Sequence, residues 1–227
     1  MIKAVIFDLD GTISDFNLDY KAMRAEIRGY LLDAGLPASI LKTNGPVSDI
    51  MERIIVYFKR HDHSEETLGR IQKTVWTIAE NHELTAASTT DLIPSVKETL
   101  RTLKRSGFKL GLCTLNGKKS MDKILNRFKI KELFDSAIPR EKANCVKPNP
   151  EHLKVVLGEL EVMPNEAIAV GDSIRDIQAA KEINLIAVGF PSGIYPEKQL
   201  KQSGANYIIT SITDMPKLIK SINAQKC

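Results

Sequence analysis

The sequence is poor in cysteine, and its three cysteines, Cys113, Cys145 and Cys227, are widely spaced along 227 residues. They form no Cys-x-x-Cys pair, and no histidine-rich segment accompanies them. A zinc site needs a denser and more regular set of ligands. We therefore expect reduced thiols that bind no zinc.

Long hydrophobic runs are also absent. The apolar segment after Met1 is ended early by Asp8 and Asp10, and no small-residue cleavage site follows it. A secretory signal has a longer uninterrupted apolar core, and a membrane-spanning helix needs about 20 apolar residues. The sequence therefore predicts a cytoplasmic protein with no membrane partner.

Charge of one sign does not dominate the chain. There are 32 Lys and Arg residues against 28 Asp and Glu, which gives a formal net charge of +4. The basic residues are scattered rather than gathered into a run or stripe, so no nucleic-acid partner is expected. A modest basic excess is compatible with an anionic substrate. The 43% of hydrophobic residues is typical of a soluble globular protein of one or two domains.

Short apolar runs that alternate with helical patterns indicate the fold. The run Ile2–Leu9 is almost continuously apolar and ends abruptly, as a strand buried on both faces does. Similar runs follow at Lys109–Cys113, Ala167–Val170, Ile186–Val188 and Tyr207–Ile209. Helical patterns precede or follow them, for example at Pro94–Lys104 and Pro150–Leu160. The alternation predicts an α/β fold with a doubly wound, mostly parallel, Rossmann-like sheet.

One segment breaks this alternation, because it contains helical periodicities and no strand pattern. The helical periodicities are Tyr20–Ala34, Val47–Arg60 and Glu65–His82. We interpret residues 16–85 as a small all-helical second domain inserted after the first strand, with residues 1–15 and 86–227 forming the Rossmann-like core. The small, hydroxyl-rich stretch Thr85–Thr90 is predicted to be a connecting strand or hinge.

Two aspartates stand where the first predicted strand ends, in Asp8-Leu9-Asp10-Gly11-Thr12. Alternate side chains of a strand share a face, and open α/β sheets place ligands at this edge. The two carboxylates can therefore converge on a ligand. An apolar strand that ends in solvated aspartates before a glycine turn has the same pattern, and the pentapeptide alone leaves both interpretations open.

Three further motifs follow the first in order, and together the four carry a resemblance to a known family. They are Leu112-Cys113-Thr114, Lys147-Pro148-Asn149-Pro150 and Gly171-Asp172-Ser173-Ile174-Arg175-Asp176. With them the sequence resembles the haloacid dehalogenase superfamily, in its phosphatase branch with a helical cap after the first strand. This resemblance implies that residues 16–85 are the cap domain and that residues 1–15 and 86–227 are the catalytic core. The size and position of the cap resemble those of the phosphoglycolate phosphatase-like members.

The resemblance implies a reaction and a cofactor. It implies that Asp8 attacks phosphorus and becomes phosphorylated, and that Asp10 serves as general acid and then as general base. It implies a magnesium ion held by Asp8, the backbone carbonyl of Asp10 and Asp172, with Asp176 nearby as a ligand or as a partner of a ligand. By itself, the segment from Gly171 to Asp176 favours an ordinary capped strand-to-helix turn.

The resemblance also implies residues that bind the substrate, a small-molecule phosphomonoester. Thr114 is expected to hydrogen-bond a phosphoryl oxygen, and Lys147 is expected to supply positive charge to the transition state. Many relatives have Asn directly after the Thr of this motif, whereas here Leu115 stands there and Asn116 follows. A role for Asn116 in phosphate binding is therefore left open.

The predicted cap contributes two further candidates for substrate binding. Thr43-Asn44-Gly45-Pro46 resembles the glycine-containing loop that capped relatives present to the substrate, which makes Gly45 a candidate. Arg24 and Arg28 are one helical turn apart and either bind a second anionic group of the substrate or form part of a solvated helix face. Both alternatives stay open.

Other functions remain alternatives to the phosphatase. A sugar phosphomutase uses the same four motifs, and the sequence does not separate it from a phosphatase. A non-catalytic binding module on the same fold is disfavoured by the complete set of motif residues. Dehalogenases and phosphonate-cleaving relatives do not need the second acidic residue, Asp10. Neither the particular phosphomonoester nor the oligomeric state follows from the sequence.

Overall fold

The computed structural model of the chain describes residues 1–15, 17–41, 45–61 and 64–225. Within these ranges the strands form one parallel sheet in the order β3-β2-β1-β4-β5-β6. The strands are β1 (Ala4–Phe7), β2 (Lys109–Cys113), β3 (Ser136–Ile138), β4 (Ala167–Gly171), β5 (Ile186–Gly189) and β6 (Tyr207–Ile208). The predicted α/β fold with a parallel sheet is confirmed.

Helices separate most of the strands along the described part of the chain. They are α1 (Tyr20–Asp33), α2 (Val47–Arg60), α3 (Glu65–Thr89), α4 (Val96–Arg105), α5 (Lys118–Arg127), α6 (Glu151–Leu160), α7 (Ile174–Glu182), α8 (Glu197–Gln202) and α9 (Met215–Gln225). No helix in the described ranges is both long enough and apolar enough to cross a membrane.

The chain divides into two compact units. The first consists of Met1–Asn17 and Ala87–Cys227 and contains the sheet, and the second is Leu18–Ala86. Whether these units are the catalytic core and the cap of the sequence analysis stays a prediction.

The sheet of the first unit is buried on both faces. The side chains along its central strands point alternately to the two faces, and each face packs against an apolar cluster. In β1, Val5 and Phe7 belong to one apolar cluster, and Ala4 and Ile6 belong to another. Helices α4, α5 and α9 contribute side chains to the first cluster, and α6 and α7 contribute to the second. This two-sided burial explains the continuous apolar run in the sequence.

The second unit has an apolar core of its own. Its helices contribute buried side chains at helical spacing, such as Met23, Ile27 and Leu31 from α1 and Ile50 and Ile54 from α2. The stripe buries one face of each helix and leaves the other mostly polar, which is the pattern that predicted these helices from the sequence.

Two sequence-based expectations about secondary structure were wrong or incomplete. Thr85–Thr90 is not a connecting strand, because α3 continues to Thr89. The hydroxyl of Thr85 donates to the carbonyl oxygen of Asn81 one turn earlier, so helix formation satisfies a side chain that had suggested a turn. Strand β3 was missed, since three residues are too few to show a periodic pattern.

Two of the three cysteines lie among the described residues, and both are free thiols, as expected. Burial raises the pKa of Cys113 to about 12, so this thiol stays protonated at neutral pH. Cys145 is exposed. Cys227 lies outside the described residues.

Candidate active site

The predicted motif residues of the first unit follow the carboxyl ends of three neighbouring strands. Asp8 follows β1, and its backbone N–H donates to the carbonyl oxygen of Val170 in β4 at 2.9 Å. Thr114 follows β2 and donates its N–H to Ile138 in β3 at 3.1 Å. Asp172 follows β4. Because parallel strands end at the same edge, the strand order brings these three motifs together.

The side chain of Lys147 has an acceptor for each of its three hydrogens. Its Nζ donates to Oδ1 of Asp8 at 2.6 Å, to Oδ1 of Asp176 at 2.6 Å and to the carbonyl oxygen of Cys113 at 2.7 Å. An ammonium group has three hydrogens, so all of its donors are used. Only 3% of the side chain is exposed. Burial alone lowers the pKa of Lys147, but the charges of Asp176 and Asp8 raise it well above its ordinary value, so the side chain stays cationic.

Three carboxylates surround one point beside Lys147. Asp8, Asp172 and Asp176 each offer one oxygen, and these oxygens lie within 4.8 Å of one another. Burial raises the pKa of Asp8 to about 7 against the opposing effect of Lys147. Burial, followed by the charges of Asp8 and Asp176, raises the pKa of Asp172 to about 8. An all-oxygen set under this repulsion fits a hard divalent cation such as Mg²⁺.

Glycine is required where the first motif turns away from its strand. Gly11 has a φ of +78°, and a Cβ atom at this position would collide with the carboxylate of Asp172. Only glycine combines that backbone conformation with so close an approach. The turn therefore allows the first and fourth motifs to meet.

Asp10 lies in the same turn and is half-buried. The hydroxyl of Ser14 donates to its Oδ1 at 3.3 Å. This contact holds the carboxyl group, while its predicted roles in acid-base catalysis and its backbone carbonyl as a metal ligand stay predictions.

Asp176 forms hydrogen bonds with Ser173 in addition to its bond with Lys147. Its Oδ2 accepts from the backbone N–H of Ser173 at 3.2 Å and from the Ser173 hydroxyl at 2.5 Å. The hydroxyl in turn accepts from the N–H of Asp176 at 3.3 Å, which completes a capping box at the start of α7. The capped turn that the sequence left as an alternative is present, and its carboxylate also faces the candidate site.

The loop after β2 brings Thr114 and Asn116 close together. Both residues are buried, and the Thr114 Oγ1 accepts the backbone N–H of Asn116 at 3.1 Å. Phosphate binding by either residue stays a prediction.

The two candidates of the predicted cap belong to the second unit. The guanidinium of Arg24 lies 5.3 Å from the ring centre of Tyr20, and its buried Nε has no hydrogen-bond partner among the described residues. Gly45 is described, but Thr43 and Asn44 of the same predicted loop lie outside the described residues. The expectation that Arg24 and Gly45 bind substrate therefore stays a prediction.

Sequence reasoning missed two residues near the site. The hydroxyl of Ser192, in the loop after β5, donates to the carbonyl oxygen of Gly11. Arg140 donates from Nη1 to the carbonyl oxygen of Leu115 at 3.1 Å. The position of Ser192 after a strand was the only available signal, and for Arg140 there was none, because β3 before it was not recognised.

Comparison with known proteins identifies relatives of this chain. A family model described as haloacid dehalogenase-like hydrolase matches residues 5–190. Phosphoglycolate phosphatase of Mannheimia succiniciproducens is 28% identical over 226 residues, which cover 96% of this chain and 98% of that protein. Pyrophosphatase PpaX of Bacillus cereus is 25% identical over 234 residues, covering 98% of each chain.

A solved structure gives a consistent result. The crystal structure of a protein described as a predicted phosphoglycolate phosphatase from Haemophilus somnus superposes with a TM-score of 0.67 at 25% identity. The match covers 96% of this chain and 98% of that one. The similarity therefore extends over both units and is not confined to the motifs.

Proposed function

This chain belongs to the haloacid dehalogenase-like hydrolases, and we propose that it is a magnesium-dependent phosphatase that uses Asp8 as its nucleophile. One observation carries the proposal. The Asp8 carboxylate lies 2.6 Å from a buried ammonium group and shares a cluster with Asp172 and Asp176. Phosphoryl transfer depends on a positioned nucleophile and on positive charge near the phosphoryl oxygens.

The residues of this cluster fit a magnesium ion. Asp8 and Asp172 would hold it, together with the backbone carbonyl of Asp10, and Asp176 would be a ligand or would orient one. When bound, the ion supplies charge neutralisation between the anionic nucleophile and the anionic phosphate. A cation also favours the ionised forms of Asp8 and Asp172, which offsets the burial that raises their pKa values to about 7 and about 8.

The reaction proceeds in two displacements at phosphorus. In the first, an oxygen of Asp8 forms a bond to phosphorus as the bond to the leaving oxygen breaks, and Asp10 donates a proton to that oxygen. In the second, Asp10 takes a proton from water as the water oxygen attacks phosphorus. The bond between phosphorus and Asp8 then breaks, which releases inorganic phosphate and restores both carboxyl groups.

Lys147 and Thr114 stabilise the charge that develops on the phosphoryl oxygens. The ammonium group of Lys147 is held in place by three acceptors, so it loses little freedom when a substrate binds. The Thr114 hydroxyl donates to a phosphoryl oxygen, and the side chain of Asn116 is the adjoining candidate.

The substrate class proposed here is a small phosphomonoester similar to phosphoglycolate, because a relative named for that activity aligns along nearly the whole chain. Inorganic pyrophosphate is the second candidate, since a relative named pyrophosphatase aligns equally completely. A sugar phosphomutase stays the alternative outside the phosphatases, because the same residues can return the phosphoryl group to a sugar.

The test is phosphate release from a panel of phosphoglycolate, pyrophosphate, sugar phosphates and nucleotides, measured with Mg²⁺ and with a chelator. Asp8→Asn is the matched control, since it removes the nucleophile with almost no change of volume. We expect Mg²⁺-dependent release concentrated on one or two compounds and a loss on the order of 10⁴-fold or more in Asp8→Asn.

Each contrary outcome has its own meaning. Retained activity in a folded Asp8→Asn variant would overturn the role of Asp8. Isomerised sugar phosphates without phosphate release would identify a mutase. If no compound is turned over, a non-catalytic binding module becomes the favoured interpretation.

A further inference from the structure

We propose that Arg140 and Glu141 are a positioning pair that holds the loop from Thr114 to Lys118 in the orientation that binds a phosphoryl group. The inference rests on the proposed function, because the loop belongs to the same site. It concerns two residues that no motif contains.

The loop itself determines what the hydroxyl of Thr114 can do. Its Oγ1 accepts the backbone N–H of Asn116 at 3.1 Å, a local turn typical of Ser and Thr. A hydroxyl has one hydrogen to donate. With Oγ1 occupied as an acceptor, that hydrogen is available for a phosphoryl oxygen, provided that the backbone at Asn116 stays in place.

Arg140 bonds to two consecutive peptide units of the loop, the one that joins Leu115 to Asn116 and the one that joins Asn116 to Gly117. Its Nη1 donates to the carbonyl oxygen of Leu115 at 3.1 Å, and its backbone N–H donates to the carbonyl oxygen of Asn116 at 3.2 Å. Only 9% of the Arg140 side chain is exposed. A largely buried guanidinium that donates to a main-chain carbonyl fixes the direction of that carbonyl more firmly than an exposed ion pair does.

Glu141 holds the far end of the same loop. Lys118 is the first residue of α5, and Oε2 of Glu141 accepts its backbone N–H at 3.0 Å. Gly117 precedes that residue and has no side chain to cap the helix, so Glu141 takes this function. The Oε1 of Glu141 lies 3.7 Å from Nε of Arg140, which joins the two contacts into one unit.

Gly117 allows the pair to approach the loop. A Cβ atom at this position would lie 2.7 Å from Nη2 of Arg140 and 2.9 Å from Oε1 of Glu141. A side chain at residue 117 would therefore displace the ends of these two charged side chains.

The alternative is an ordinary surface ion pair, and the same turn contains one for comparison. Lys142 contacts Oε1 of Glu159 at 3.1 Å, with 49% and 41% of the two side chains exposed. Arg140 differs in its burial and in donating to the loop rather than only to a carboxylate. Lys142→Ala is therefore the matched control for substitutions of Arg140.

The experiment measures 4-nitrophenyl phosphate hydrolysis and its inhibition by orthovanadate, with Mg²⁺ present, in Arg140→Ala, Arg140→Lys and Lys142→Ala. We expect Arg140→Ala to lower kcat and to weaken orthovanadate inhibition about 10- to 100-fold, with a smaller change in KM. Added guanidinium ion restores part of kcat in this variant. Arg140→Lys stays impaired, because lysine lacks the guanidinium fork, and Lys142→Ala matches the unmodified chain.

A purely structural role gives a different result. Arg140→Ala would then unfold at a lower temperature while its folded fraction kept the original kcat and orthovanadate inhibition, and that result would overturn the proposal. If Arg140→Ala fails to fold, Arg140→Lys supplies the same comparison.

Amide hydrogen exchange separates failure of this inference from failure of the proposed function. We expect the N–H groups of Asn116 and Lys118 to exchange about tenfold faster in Arg140→Lys than in Lys142→Ala. If the unmodified chain hydrolyses no phosphate ester, the proposed function fails, and exchange alone decides whether the pair holds the loop. Unchanged exchange at both amides would overturn the inference in either case.

Discussion

Lys147 Nζ lies 2.6 Å from Oδ1 of Asp8, although 139 residues separate the two in the chain. The same nitrogen lies 2.6 Å from Oδ1 of Asp176. In a buried site each of these charges depends on the others for compensation. The candidate nucleophile is therefore coupled to the stability of the fold, and this coupling can be measured without a substrate.

Replacing Lys147 by methionine tests that coupling. We expect Lys147→Met to lower the free energy of unfolding by about 3–5 kcal/mol at pH 8, because it leaves Asp8 and Asp176 buried without their cation. The loss is smaller at pH 5, where protonation removes part of the uncompensated charge. Urea unfolding in the presence of a chelator measures both values.

Lys142→Met is the control for this substitution, since it removes the same charge from an exposed pair with Glu159. We expect it to cost at most about 1 kcal/mol. Equal losses in the two variants would contradict a special role of the buried ammonium group.

Asp10→Asn is expected to slow turnover strongly and to accumulate phosphorylated protein. The asparagine cannot donate a proton to the leaving oxygen, nor can it accept one from the attacking water. With a substrate whose leaving group needs no proton, such as 4-nitrophenyl phosphate, the first displacement is affected less than the second. Intact-protein mass spectrometry then detects one added phosphoryl group, and its absence in Asp10→Asn/Asp8→Asn identifies Asp8 as the acceptor. Phosphorylation that persists in the double variant would contradict the mechanism.

Magnesium is expected to change how stability depends on pH. Because the folded-state pKa values of Asp8 and Asp172 are raised to about 7 and about 8, their contribution to stability is fully present below the ordinary value of 3.8. It is lost progressively as pH rises from 3.8 through 7 and 8, because the unfolded carboxyls release their protons in this range while the buried ones keep theirs. With a chelator, the chain therefore loses stability between about pH 4 and about pH 8.

Mg²⁺ should reduce that loss, since it binds the ionised carboxylates, and should stabilise the folded chain by about 2.7 kcal/mol at 100 times its Kd. Asp172→Asn should weaken this stabilisation. Thermal unfolding across pH, with and without Mg²⁺, measures the effect. A pH dependence that is identical with and without Mg²⁺ would exclude the carboxylate cluster as the binding site.

His152 provides a separate pH-dependent effect. The side chain is fully buried, and neither ring nitrogen makes a hydrogen bond of standard geometry with a described residue. The backbone carbonyls of Pro139 and Ile138 interact weakly with the ring and raise its pKa slightly. Burial, assisted by the charge of Lys147, lowers the pKa of His152 from 6.5 to about 4.

The unfolded chain therefore binds a proton at this residue between pH 6.5 and pH 4 that the folded chain does not. Its contribution to stability is present above pH 6.5 and is lost as pH falls through 4, by roughly 3 kcal/mol in total. As pH falls from 6.5 to 4, we expect the unfolding free energy of the unmodified chain to decrease by that amount relative to that of His152→Leu. A difference that does not vary with pH would show that the histidine is not held neutral.

The sequence predicted the strands wherever apolar runs were long enough to be buried on both faces. The segment Lys109–Cys113 was bounded as observed, whereas Ile2–Leu9 proved longer than the strand Ala4–Phe7. Leu9 is buried outside the sheet, in the turn that follows, so its apolar character reported burial rather than strand structure. Thr85–Thr90 failed for the converse reason, since hydroxyl groups that favour turns were satisfied within a helix.

The amino-acid order by itself determined which residue types follow each strand, because a buried parallel strand must end before a charged side chain can reach solvent or a ligand. It could not determine that Lys147 donates to both Asp8 and Asp176, or that Arg140 holds Leu115. Those contacts depend on the strand order β3-β2-β1-β4, which brings together residues far apart in the chain. Side-chain partners in such a site follow from packing across the sheet, and no local pattern encodes packing between distant segments.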